Sequence, residues 1–83
     1  MNITAELSFY PLNDNCIAQI KAYIEALNRY DSLEIRTHAL STEIFGDYDT
    51  VMQAIADTTK KSFEADSGVV LVAKYLNKDR RDA

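Results

Sequence analysis

The chain has 83 residues, 47% hydrophobic and 27% charged, with Gly 2, Pro 1, Cys 1 and His 1, which describes one domain spanning residues 1–83. Such a composition excludes a disordered chain, a loop-rich scaffold and a two-domain enzyme. A net charge of -4 disfavours nucleic acid and anionic membranes as partners.

Residues 3–10 alternate, with Ile3, Ala5, Leu7 and Phe9 on one side and Thr4, Glu6, Ser8 and Tyr10 on the other, which predicts a half-buried strand ended by Pro11. The start Met1–Glu6 has no basic leader, no unbroken apolar run and no small-residue cleavage site, so the expectation is a cytoplasmic protein without a signal or membrane span. The lone Cys16 agrees, because small secreted domains usually pair their cysteines; its expected place is a helix face near the start, not a catalytic centre.

Asn13, Asp14 and Asn15 offer capping oxygens, and Ile17, Ile20, Ile24 and Leu27 form a stripe that predicts a first helix over 14–29. Leu33, Ile35 and Thr37 alternate with Glu34, Arg36 and His38 in a second strand, and Thr42–Gly46 forms a third, joined to it by a short antiparallel connection. Asp47 or Asp49 caps a second helix whose ridge is Val51, Ile55, Thr59 and Phe63, with Met52 and Ala56 beside it. After Gly68, the run Val69–Ala73 predicts a fourth strand covered on both faces, followed by a polar tail.

This order is the ferredoxin-like βαββαβ arrangement of the α+β class, with two helices on one face of a four-stranded antiparallel sheet. Right-handed crossovers put the first and third strands in the centre. The other sheet face is left bare and is expected to carry Glu6, Ser8 and Tyr10 beside Glu43 and Phe45, with part of the apolar fourth strand, a mixed patch that points to a partner or ligand.

Most chemistry is excluded. No CxxC, glycine-rich phosphate loop or metal-ligand set is present, and the loop Pro11–Asn15 has neither glycine nor arginine. The third strand lacks the aromatic and basic pattern of an RNA reader. His38 has no evident Ser or Cys partner and reads as a polar residue at the hairpin end. Tyr23 and Tyr30 read as packing along the first helix, which leaves Tyr10 and Tyr48 as ring-stacking candidates. The expectation is a binding module and not an enzyme, with no catalytic residues, metal or cofactor.

Tyr10-Pro11-Leu12, the run Leu40–Asp47, Val51-Met52 and Asp79-Arg80-Arg81-Asp82 together resemble the YkoF-like thiamine and hydroxymethylpyrimidine-binding superfamily. The chain departs from a pattern frequent there at Leu40-Ser41-Thr42, where Met-Gly-Thr is common, and at Asn13, where glycine often follows Pro-Leu. The resemblance implies a ferredoxin-like fold, non-catalytic binding of thiamine or its pyrimidine as a carrier or sensor, and assembly into homodimers or homotetramers through the sheets. The alternatives are a structural or regulatory assembly module and an ACT-like amino-acid sensor. The expected ligand-binding residues are Glu6, Ser8 and Tyr10 from strand one and Thr42 and Glu43 from strand three, with His38 in a lesser role. Neighbouring strands bring them together, although Thr42 and Glu43 must point to opposite faces.

Overall fold

Alternation along β1 (Asn2–Pro11) buries Ile3, Ala5 and Leu7 on one side and leaves Glu6 and Ser8 half-buried on the other. The structure, a computed structural model, describes residues 1–81 and builds the sheet outward from this strand. Next come α1 (Cys16–Asn28), β2 (Glu34–Thr37), β3 (Thr42–Asp47), α2 (Tyr48–Ala65) and β4 (Val69–Leu76). The strand order is β2-β3-β1-β4, every pairing is antiparallel, and β1 and β3 are central as the crossover rule requires.

Both helices lie on the side of Ile3, Ala5 and Leu7. In α1 Tyr23 and Leu27 are buried and Ile20 and Ile24 half-buried, while Ile17 is exposed, against expectation. At 3.6 residues per turn Ile17 lies about 20° from Ile24 but about 120° from the buried Tyr23, so it sits at the edge of the stripe in the first turn. In α2, Asp47 is the cap, its Oδ2 accepting the Thr50 N–H at 3.3 Å. The buried residues are Val51, Ala54, Ile55 and Thr58, whereas the expected ridge member Phe63 is half exposed. Steps of four residues drift about 40° each, which carries Phe63 about 120° from Val51. A Cβ at Gly46 in β3 would stand 2.5 Å from Leu33 Cδ2, so any side chain there would require Leu33 to shift in the core.

Two expectations for the other sheet face are corrected. β4 is an edge strand with Val69, Leu71 and Ala73 half-buried toward the helices and Val70 and Val72 exposed, so it is not covered on both faces. Phe45 is not bare but buried, because residues 77–81 fold back across it. Thr4 Oγ1 donates to the Lys78 carbonyl at 2.8 Å and accepts the Arg80 N–H at 2.9 Å. The guanidinium carbons of Arg36 and Arg81 then stand 5.0 and 5.6 Å from the Phe45 ring centroid. Arg81 also pairs with Glu34 and Asp79. Asp82, the last residue of the tail motif, lies outside the described residues.

Candidate functional site

β1 outruns its partner. Its pairing with β3 ends at Leu7↔Thr42, whereas Ser8, Phe9, Tyr10 and Pro11 pair only with β4. On the β3 side the strand edge at 8–11 is therefore unpaired, and backbone groups there are available as donors and acceptors. A cavity of about 260 Å³ opens at this place between β1, α1 and the turn that joins β2 to β3. One wall is apolar, made by Leu7, Phe9, Ile20, Tyr23 and Ile24, and the opposite wall is the segment Thr37–Thr42.

The walls follow from local structure. Phe9 extends the apolar side of β1 past the end of β3, and its ring stacks on Tyr23 of α1 at 4.3 Å between centroids and 28° between planes. The Tyr23 hydroxyl shares a hydrogen bond with Thr59 Oγ1 at 2.9 Å; burial pushes the phenol pKa up despite that bond, which keeps the ring neutral. Across the cavity the Thr37 and Thr42 hydroxyls are 3.5 Å apart on paired positions of β2 and β3. Among the described residues, no lysine or arginine lines the cavity.

The expected ligand-binding residues divide between the two sheet faces. Tyr10, His38 and Thr42 border the cavity. Glu6, Ser8 and Glu43 lie on the helix-free face, where Glu6 and Glu43 are directly opposite each other. Thr42 pairs with Leu7 and is buried on the helix side, so it does not join the carboxylates. Glu43 Oε1 lies 2.6 Å from His38 Nε2, Glu6 Oε2 accepts from Ser41 Oγ at 3.2 Å, and Lys74 Nζ is 3.8 Å from Glu6. Tyr48 stands at the other end of β1, where its N–H donates to the Met1 carbonyl.

Phe9, Tyr23, Thr37 and Ser41 line the cavity without having been expected there. Their signal was available only as core periodicity for the two aromatics and as polar hairpin ends for Thr37 and Ser41. An apolar trough of about 470 Å³ between α2 and β4, bordered by Ile55, Phe63 and Leu71, offers fewer polar groups to orient a ligand.

A sequence profile of thiamine-binding proteins matches residues 5–83. The chain belongs to the thiamine-binding protein family. Solved structures agree with this family's fold. A hypothetical protein from Methanocaldococcus jannascii is 26% identical with a TM-score of 0.81, over 95% of this chain and 82% of the other. A Thermotoga maritima protein named for thiamine biosynthesis/salvage is 14% identical with a TM-score of 0.84, over 94% of this chain and 85% of its own. A Streptococcus pneumoniae protein is 18% identical with a TM-score of 0.84, over 99% and 92%. No curated protein sequence matches. Among the described residues, no helix is long and apolar enough to cross a membrane.

Proposed function

We propose that this member of the family binds thiamine or its hydroxymethylpyrimidine moiety, without turnover, as a carrier or sensor. The observation that carries the reading is the cavity itself, in which an aromatic wall faces threonine hydroxyls beside an unpaired strand edge. An aminopyrimidine is flat and presents adjacent donors and acceptors, which complement backbone N–H and C=O groups and adaptable hydroxyls. The volume lies just under the about 300–1,000 Å³ of ordinary ligand pockets, a size suited to a ring system. No lysine or arginine is among the described lining residues, so none of them opposes a cationic thiazolium.

Titration calorimetry with thiamine and with hydroxymethylpyrimidine tests this. The wild-type protein is expected to bind at least one of them and to return it unchanged, and Thr42→Val is expected to weaken binding about fivefold through loss of one hydrogen bond. Absence of heat with both ligands, together with a melting-temperature rise on adding amino acids, would move the assignment to an amino-acid sensor. The exposed strip of Tyr10, Val70, Val72 and Leu76 further supports self-association through the uncovered half of the sheet, to which sedimentation showing only the 9.4 kDa monomer would be fatal.

A further inference from the structure

The turn between β2 and β3 has two sides. One side walls the cavity, and the other is tied to the helix-free sheet face by three side-chain contacts. Ser8 Oγ donates to the Leu40 carbonyl at 3.4 Å, Ser41 Oγ donates to Glu6 Oε2 at 3.2 Å, and His38 Nε2 lies 2.6 Å from Glu43 Oε1. Within the turn the His38 N–H donates to the Ser41 carbonyl at 2.8 Å, so its closed form rests on few backbone bonds.

The two carboxylates that hold it are themselves in an unfavourable arrangement. Glu6 and Glu43 are exact register partners on β1 and β3, and like charges placed opposite each other across strands destabilise the pair. Each gains a polar partner from the turn, and Lys74 relieves Glu6 further from β4. Lifting the turn would remove one partner from each carboxylate at once and leave their repulsion less compensated. The arrangement therefore favours closure.

We infer that Glu6 and Glu43 are positioning residues for the ligand cavity: acting from the opposite sheet face, they latch the turn at 38–41 in the closed position in which it completes the cavity wall. The inference rests on the reading of this cavity as the ligand site. It assigns the carboxylates a role without ligand contact, and it makes the cavity responsive to charge on the far face of the sheet.

Amide hydrogen exchange at His38 reports the closed turn, because its N–H donates within the turn. In the ligand-free protein Glu43→Ala and Glu6→Ala are each expected to speed His38 exchange about three- to fivefold, the range of a half-exposed polar pair. Glu43→Gln, which retains an acceptor for His38, is expected to recover much of the protection. Asp57→Asn, on the exposed side of α2, is expected to change nothing. If thiamine binds only the closed form, a hundredfold excess over its dissociation constant slows His38 exchange about a hundredfold in wild type and in each variant.

Unchanged His38 exchange in both alanine variants overturns the latch. Faster exchange in the variants, with no slowing by thiamine in a protein that calorimetry shows to bind it, overturns the coupling to the cavity. Absence of binding of both thiamine and hydroxymethylpyrimidine by calorimetry removes the functional reading and the coupling together, while the ligand-free arm still decides whether the carboxylates hold the turn. Melting curves of the variants confirm that each is folded before exchange is compared.

Discussion

Phe45 and Val72 occupy the same helix-free face of the sheet, yet Phe45 is 1% exposed and Val72 is 45% exposed. Phe45 lies on a central strand under residues 77–81, with Arg36 and Arg81 over its ring. Val72 lies on the edge strand β4, opposite Ser8, and residues 77–81 leave it exposed. Residues 77–81, with the guanidinium of Arg81 beside that of Arg36 from β2, have thus covered one half of an apolar surface, and the half left uncovered carries Tyr10, Val70 and Leu76. The same division separates the two sheet edges: β2 is short and tied to the tail through Arg36, which donates to the Arg81 carbonyl at 3.0 Å, whereas β4 is the longer edge strand.

The largest effect that would break this comparison is in the core of the covered half. Phe45→Ala is expected to destabilise the fold by about 3–5 kcal/mol, because it empties a buried ring site and removes the surface on which the tail rests. Val72→Ala is expected to stay within about 0.5 kcal/mol in the monomer. Urea denaturation of both variants measures the contrast, and equal losses would mean that the tail does not shield Phe45.

A smaller effect is expected at Thr4, whose hydroxyl is the hinge of the tail contact. Thr4→Val keeps the shape, loses both hydrogen bonds and is expected to cost about 1 kcal/mol, since the freed Arg80 and Lys78 backbone groups regain water. The Arg80 amide should then exchange faster while amides of α2 stay protected. Equal acceleration in both places would show that the variant loosens the whole fold and not the tail alone.

The smallest effect is a dependence on acid. The Arg81 guanidinium holds the Asp79 carboxyl below its ordinary range and is itself pushed up. A depressed carboxylate contributes at neutral pH and loses that contribution as pH falls through its folded-state value, so tail docking should weaken only in acid. Nuclear magnetic resonance of the Phe45 ring across an acid titration reads this directly, and Asp79→Asn should flatten the response.

How much of this was legible in the sequence depends on the range of the interactions. Strict alternation from Ile3 to Tyr10 is a local signal, and it identified which side of β1 meets the helices. The order of elements was equally local, and with the crossover rule it fixed β1 and β3 as central. The parity of Thr42 and Glu43 required the register Glu6↔Glu43, which no pattern within β3 determines. Coverage was less legible still. Thr4 meets Lys78 and Arg80 from the far end of the chain, and a polar tail carries no periodicity that announces what it lies on. The run Val69–Ala73 read as doubly buried because composition reports hydrophobicity and not position at a sheet edge. The cavity was missed for a related reason: it exists because β1 is longer than its partner, and Phe9 and Tyr23 become a ligand wall only through that mismatch.

The central claim is that the ligand enters on the helix side of the sheet, between α1 and the turn at 38–41. Mapping amide and side-chain resonance changes during a thiamine titration tests it most directly. The account predicts that the shifts cluster at Phe9, Tyr23, Thr37 and Thr42, with Val70, Val72 and the tail unaffected at the same protein concentration. Shifts confined to the strip of Val70, Val72 and Leu76, or to the trough beside Phe63, would contradict it.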